Sequence, residues 1–337
     1  MAEAAQQADV GAARQGRLIV VTAPIDTRVL AVAVDGVQAP QRDSWHEMKV
    51  GTFAPLELRV DTETRRTHLA WGEASYCAGG EEAEVFWWRV YAEACRRGLG
   101  TPAVRTVVLL GDGAEWIWHR ARHFLRVQGV ELFEIVDIYH VYEYLGDVGN
   151  AVFGAGSARA AGWVQSLKDR LYEQGAAPIL AALAALPPET NEVAEVVRVA
   201  IGYVTTHATR LDYPRFVARQ FPIGSGAVES TCKVLITARA KGAGMRWSGD
   251  GLQAIASLRA LQRSGRWDSF WQTQPQRRAL PAGPPPSAPP VTARSPQAPP
   301  APVVAAPPVA LPAMTSRPRL TPLRHQRPFL PPRARSA

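Results

Sequence analysis

Apolar positions in the first half of the chain fall into short continuous runs separated by polar turns. From Arg28, VLAVAVDG reads as a buried strand closed by Asp35-Gly36, a turn signal. HEMKVGTFAPL and LELRVDTETRRTHLAW predict two further strands, joined by connections short enough for an antiparallel meander. Glu81 to Gly98, EEAEVFWWRVYAEACRRG, predicts an amphipathic helix, with acids at its start, arginines near its end and Gly98 as its stop. RTVVLLGDG (105–113) predicts a strand closed by a second Asp-Gly. AEWIWHRARHFLRV then predicts a helix, and ELFEIVDIYH a strand running into Asp137 and His140. The order of three strands, helix, strand, helix, strand predicts an α/β fold on a mixed five-stranded sheet.

Beyond Val141 the period changes to that of helices. WVQSLKDRLYEQG, PILAALAAL and EVAEVVRVAIGYVTTHATRL predict an all-helical insertion over about 141–213, with Pro187-Pro188 breaking two of its helices. A Gly-Ser-Gly turn follows at 224–226 and opens a helix that carries Glu229 in its first turn. GLQAIASLRALQRSG and RWDSFW complete the folded part. From Gln274 the pattern ends. The segment 274–337 holds 19 of the 28 prolines and predicts a disordered Pro/Arg-rich tail, and residues 1–27 predict a flexible N-terminal segment.

Charge is informative only once it is localised. The chain carries a formal +8, but the tail contributes 9 arginines and no acid. The remainder therefore has 38 − 9 = 29 basic against 30 acidic residues, about −1. Within that near-neutral body the stretch 231–271 is basic, with Lys233, Arg239, Lys241, Arg246, Arg259, Arg263 and Arg266 opposed only by Asp250 and Asp268. Trp247, Trp267 and Trp271 are interleaved. Cations of this kind contact phosphates and an aromatic ring stacks on an unpaired base, although a solvated helix face over core tryptophans gives the same pattern. Cys77, Cys95 and Cys232 lack metal-site spacing and predict inert thiols in a reduced compartment. No signal peptide or membrane-spanning run is evident, so a cytoplasmic chain is expected.

The candidate chemistry lies in carboxylates at strand ends. Asp35 and Asp112 each follow an apolar run and precede glycine, where ligands gather in open α/β sheets. Glu229 completes a set of three if its helix packs across the sheet. Three carboxylates suit two Mg²⁺ ions, which prefer hard oxygen ligands and serve in-line phosphoryl displacement. Asp-Gly after a strand is equally a common turn, and Glu229 also suits a helix N-terminus. The esterase, phosphate-loop and dinucleotide patterns are absent, and HEMKV lacks the second histidine of a zinc-protease motif.

Taken together, VAVDGVQAP with WHEMKVGTF, VVLLGDGAEWIWHRA, EIVDIYHVYEYL, ATRLDYPRF, PIGSGAVESTCK, KGAGMRWS, and LRAL with GRWDSFW resemble the ISKra-type bacterial insertion-sequence transposases, relatives of the Mutator-like transposases. These segments are collinear over roughly residues 28–271. The resemblance implies an RNase H-like DDE core over 28–273, with Asp35, Asp112 and Glu229 as catalytic acids holding Mg²⁺ or Mn²⁺. It implies that Asp137 and His140 lie near the site, and that Lys233, Arg239, Lys241, Arg246 and Trp247 contact DNA. The implied activity is cleavage at the element ends and transfer of the 3′-OH to target DNA, by a homo-oligomer in a synaptic complex, in a nucleoid-associated bacterial protein with no membrane partner. Only 34 residues precede Asp35, and the tail has no counterpart in the family, so an N-terminally truncated copy is expected. A remnant that binds DNA without cutting, or another RNase H-like nuclease, is the alternative.

Overall fold

The computed structural model describes residues 29–60, 67–187 and 190–279, together with Gln7, Val10, Gly11 and Arg14. The expectations for most of 1–27 and for 280–337 lie outside the described residues. The described body is an α/β fold on a mixed sheet of six strands. Strand β1 (Val29–Pro40) pairs antiparallel with β2 (Trp45–Val60), and β2 pairs antiparallel with both β3 (Thr67–Trp71) and β4 (Ser75–Gly79). On its other side β1 pairs parallel with β5 (Thr106–Gly111), which pairs parallel with β6 (Glu131–Val136) at the edge. This arrangement is compatible with an RNase H-like fold.

Two differences from the sequence expectation have clear causes. The sheet has six strands rather than five, because β2 is long enough to carry β3 on one half and β4 on the other. SYCAG is too short and too weakly patterned to announce itself. Its unpaired edge is buried and is capped by Gln253, which accepts from Gly80 N–H (2.9 Å) and donates to the Ala78 carbonyl (3.2 Å). Nor does Asp35-Gly36 end β1. The strand continues to Pro40, with Gly36 opposite Lys49 in the antiparallel ladder. What ends at Val34 is the parallel pairing with β5.

The central strands are buried on both faces, which accounts for their continuous apolar runs: Leu30 to Val34 and Val107 to Leu110 are fully inaccessible. One face is covered by α1 (Ala83–Arg96) and α2 (Glu115–Leu125). Helix α1 presents Phe86, Trp87, Val90 and Ala94 to the core and ends in a paired cap. Gly98 takes φ +96°, its N–H donates to Cys95 O, and Leu99 N–H donates to Ala94 O, both at 3.0 Å. Glu81 pairs with Arg89 at the start of this helix.

The predicted helical insertion is present as α3 (Ile138–Phe153), α4 (Ala158–Gln174), α5 (Ala176–Ala184), α6 (Asn191–His207), a 3₁₀ turn (Ala208–Arg210) and α7 (Tyr213–Ala218). Its side chains join the same core, through Leu145, Leu171, Leu183, Val204 and Tyr213. The chain then returns over the second face of the sheet as α8 (Gly226–Cys232), continued by a π-helical turn (Lys233–Thr237) and Ala238–Ala240. Thr231 on α8 is hydrogen-bonded to Thr52 of β2 at 2.8 Å. Helices α9 (Gly249–Arg263) and α10 (Trp267–Ala279) follow, so helix extends six residues beyond Thr273, where the tail was expected to begin.

Candidate active site

Strand register, rather than the Asp-Gly turns, assembles the site. Val34 is paired with Gly111, and Gly111 with Val136. The next residue on each strand is an aspartate. Asp35 within β1, Asp112 just after β5 and Asp137 just after β6 therefore follow matching positions on three neighbouring strands, which run about 4.8 Å apart. Side-chain alternation puts all three on the face opposite α1 and α2, beneath α8.

Asp35 is held from two sides. Its Oδ1 accepts from Gly36 N–H (2.7 Å), and its Oδ2 accepts from the Cys232 thiol of α8 (3.4 Å). Burial, and then the charge of Asp112, push its carboxyl up to about 6. Asp112 is fixed in an Asx turn: its Oδ1 accepts from Ala114 N–H (2.8 Å), while its carbonyl accepts from the Trp118 indole (2.9 Å). Burial raises its pKa too, with Glu47 and Asp137 adding repulsion and His140 opposing them. The Cys232 thiol is itself pushed up by burial and by Asp35. It is buried, in keeping with the expectation of an inert thiol, but its position over Asp35 was not anticipated.

Asp137 has a different job. It is fully buried and caps α3, accepting from Tyr139 N–H (2.9 Å) through Oδ1. Its Oδ2 accepts from Ser225 N–H (3.1 Å) and from the Ser225 hydroxyl. The adjacent peptide repeats the tie, with Ile138 N–H donating to Ile223 O at 3.0 Å. Asp137 thus joins the end of β6 to the Gly-Ser-Gly turn that launches α8. A Cβ at Gly224 would lie 2.9 Å from the ring of exposed Tyr139, which would have to turn aside.

His140, on the first turn of α3, is within 3.4 Å of Glu143. That partner, aided by Asp137 and Asp112, raises its pKa to about 9, so the imidazole is cationic at neutral pH beside the aspartate row. Glu229 sits in the first turn of α8 as the sequence predicts and is exposed. It lies three residues before Cys232, on the same side of the helix, and its charge is felt at that thiol. The structure therefore brings Asp35, Asp112, Asp137 and His140 together, and leaves Glu229 exposed on α8 three residues before Cys232. Among the described residues, no group of three His, Cys, Asp or Glu side chains is arranged to hold a metal ion.

Two further groups border the row without a sequence signal to mark them. Glu47 of β2 adds negative charge at Asp112, and its carboxylate fills the space beside Gly36, where a Cβ would lie 2.2 Å from Oε1. Tyr203 of α6 packs its ring on Gly113, where a Cβ would lie 2.2 Å from it. The helical insertion thus touches the Asp112 turn directly.

The basic stretch divides into structural and surface residues. Arg259 donates to the Leu235 (3.0 Å) and Val234 (2.5 Å) carbonyls, in the π-helical turn where regular α-helical bonding is interrupted. Arg266 pairs with Glu93 at 2.9 Å. Trp247 is half-buried against the core. Its N–H donates to Pro40 O (3.4 Å) and its carbonyl accepts from Arg42 N–H (2.9 Å), tying the segment to the end of β1. Lys233, Arg239, Lys241 and Arg246 are exposed. Among the described residues, no helix is long and apolar enough to cross a membrane. No protein-family model matches the chain, and no curated protein matches it.

Proposed function

We propose that the chain is a DNA transposase of the DDE type, with an RNase H-like core of the insertion-sequence kind its motifs resemble. The observation that carries this reading is the adjacency of Asp35 and Asp112, each one residue beyond the in-register pair Val34 and Gly111 of two parallel strands, with both carboxyls raised by burial and Asp35 raised further by Asp112. Two hard carboxylates that repel one another in a buried setting form a donor set suited to a divalent cation. Asp35 and Asp112 would hold it, with Glu229 reaching over from α8. Bound there, Mg²⁺ or Mn²⁺ would supply Lewis-acid activation of the attacking oxygen and stabilisation of the leaving oxygen.

The chain's own residues divide the remaining work. Asp112 presents one carboxylate oxygen while the other is fixed by Ala114 N–H. Asp137 holds α8 in place over the row through Ser225. Protonated His140 offers a cation to a phosphate brought to the row. Lys233, Arg239, Lys241 and Arg246, exposed in the segment after α8, would meet flanking phosphates. The reaction is hydrolysis of a phosphodiester at the element end, followed by attack of the freed 3′-OH on target DNA. A homo-oligomer that pairs two ends, acting at the nucleoid, belongs to the same reading.

The test uses duplex DNA carrying the ends of the element that encodes the chain. Asp112→Asn is expected to abolish Mg²⁺-dependent cleavage with circular dichroism unchanged, and undiminished cleavage overturns the assignment. The exposed position of Glu229, together with the lack of a three-ligand group among the described residues, favours one second reading, a remnant that binds DNA without cutting it. A mobility shift that persists with Mg²⁺ while the DNA stays intact identifies that case.

A further inference from the structure

The edge of the sheet carries a second cationic feature that the sequence pattern does not reveal, because its arginines come from three separate segments. Beside β6 lies an open cleft of about 480 Å³ between the end of α2 and the 3₁₀ turn with α7. Its walls carry Arg122, Arg126, Arg210 and Arg215, and its acids are Glu131 and Glu134.

The two carboxylates are already shared among arginines. Buried Glu134 accepts from Arg122 (2.8 and 3.2 Å) and from Arg210 (2.9 Å), which neutralises it and pins the insertion to β6. Glu131 is paired with Arg219 at 3.2 Å and lies 3.9 Å from Arg215. Arg215 and Arg219 also lie over the Phe133 ring, at 5.1 and 4.7 Å from its centroid, a cation–π contact for each. With Arg219 included, five guanidinium groups stand against two carboxylates, leaving a surplus of three positive charges. The surplus is presented on the surface, since Arg126 and Arg215 are both exposed. A guanidinium has five donors in a fixed fork, so an arginine that shares one carboxylate keeps donors for another oxyanion.

We propose that this cleft binds the phosphodiester backbone of duplex DNA, as a second contact surface apart from the exposed lysines and arginines around α8. Glu134 is three residues before Asp137, so the cleft lies about 10 Å along the strand from the aspartate row. That separation is on the scale of one major groove, about 12 Å wide, so a duplex with one phosphate at the row has others within reach of the cleft. The inference rests on the transposase reading for the identity of the polyanion, but not for any chemistry at the aspartates.

The experiment is fluorescence anisotropy of the full chain with duplex DNA, in EDTA, over a series of salt concentrations. Three variants accompany wild type: Arg126→Ala/Arg215→Ala, Glu131→Gln, and Lys241→Ala/Arg246→Ala. The cleft double variant is expected to weaken binding by about tenfold and to flatten the slope of log K against log salt by about 1.8, two phosphates' worth. Glu131→Gln is expected to tighten binding, a gain that misfolding does not produce. If the cleft variants match wild type in affinity and slope while Lys241→Ala/Arg246→Ala weakens, the cleft proposal falls and the DNA reading stands. If wild type itself binds no duplex, both fall.

Discussion

Asp137 and Ser225, 88 residues apart in sequence, are joined by two hydrogen bonds to a single carboxylate oxygen, one from the Ser225 N–H and one from its hydroxyl. The other oxygen caps α3. One buried side chain therefore sets both the start of the helical insertion and the launch of α8, and through α8 the positions of Cys232 and Glu229. Removing it leaves three donors, two of them on buried Ser225, without their acceptor. Asp137→Ala is expected to cost about 3 kcal/mol or more, and Ser225→Ala about 1–2 kcal/mol. Asp137→Asn is expected to fall between them, since its amide group turns a donor toward donors. Urea unfolding of the three variants measures this, and a loss below that of Ser225→Ala for Asp137→Ala would remove the linking role.

The raised carboxyl of Asp35 predicts a pH signature in the protein without divalent cations. In the unfolded chain an aspartate titrates near its ordinary value of about 3.9. In the folded chain burial and Asp112 hold it at about 6. Between those values the folded state binds more protons, so stability falls as pH rises from about 4 to 6, and the penalty remains above 6. His207 acts in the opposite sense. Burial, and then Arg210, hold it at about 4, so its contribution is lost as pH falls from about 6.5 to 4. Comparing wild type with Asp35→Asn cancels the His207 effect. The Asn variant is expected to be more stable by roughly 1–3 kcal/mol at pH 7.5, with the difference vanishing near pH 4. Chemical denaturation in EDTA at several pH values tests it, and a difference that does not change with pH would contradict the burial and repulsion described.

Glu229 separates stability from chemistry. Its side chain is exposed, and α8 is held by Val228, Thr231 and Cys232 rather than by this carboxylate. Glu229→Gln is expected to change unfolding free energy by no more than about 0.5 kcal/mol. The transposase reading then requires it to abolish Mg²⁺-dependent cleavage with DNA affinity retained. Cleavage by Glu229→Gln at the wild-type rate would exclude it from the catalytic set.

The strands that carry Asp35 and Asp112 were legible because both-face burial writes continuous apolar runs into a sequence. The helical insertion was legible from its period. The row of aspartates was legible only in part. That an apolar run leads into Asp35 and into Asp112 can be read locally, but Asp35 lies within β1 rather than at its end, and the adjacency of the two is a property of register between β1 and β5, which no local pattern encodes. Asp137 shows the same gap in reverse. Its place at a strand end was visible, and its role as an anchor was not, because Ser225 arrives from beyond the whole insertion. The basic stretch was legible as charge but not as partners. Charge counts cannot tell Arg259, spent on π-helix carbonyls, from Arg246 in solvent. The cleft beside β6 was missed because Arg122, Arg126, Arg210 and Arg215 lie scattered among ordinary helix charges.

The contact of Tyr203 with Gly113 links the insertion to the Asp112 turn and yields a paired prediction. The Tyr203 ring stacks on Tyr144 at 4.1 Å and lies 4.8 Å from His207, so it has little freedom to move away. A methyl group at position 113 would meet it at 2.2 Å. Gly113→Ala is therefore expected to destabilise by about 1–3 kcal/mol, as overpacking does, and to disturb Asp112 one residue earlier. The Tyr203 hydroxyl is buried and has no hydrogen-bond partner among the described residues, a state that costs free energy. Tyr203→Phe is accordingly expected to stabilise by about 1 kcal/mol. Tyr203→Ala removes the obstructing ring, so adding Gly113→Ala to it is expected to cost less than Gly113→Ala costs wild type. A double-mutant cycle by thermal and urea unfolding measures the coupling. Simple additivity of the two substitutions would show that the ring and the turn do not press on one another.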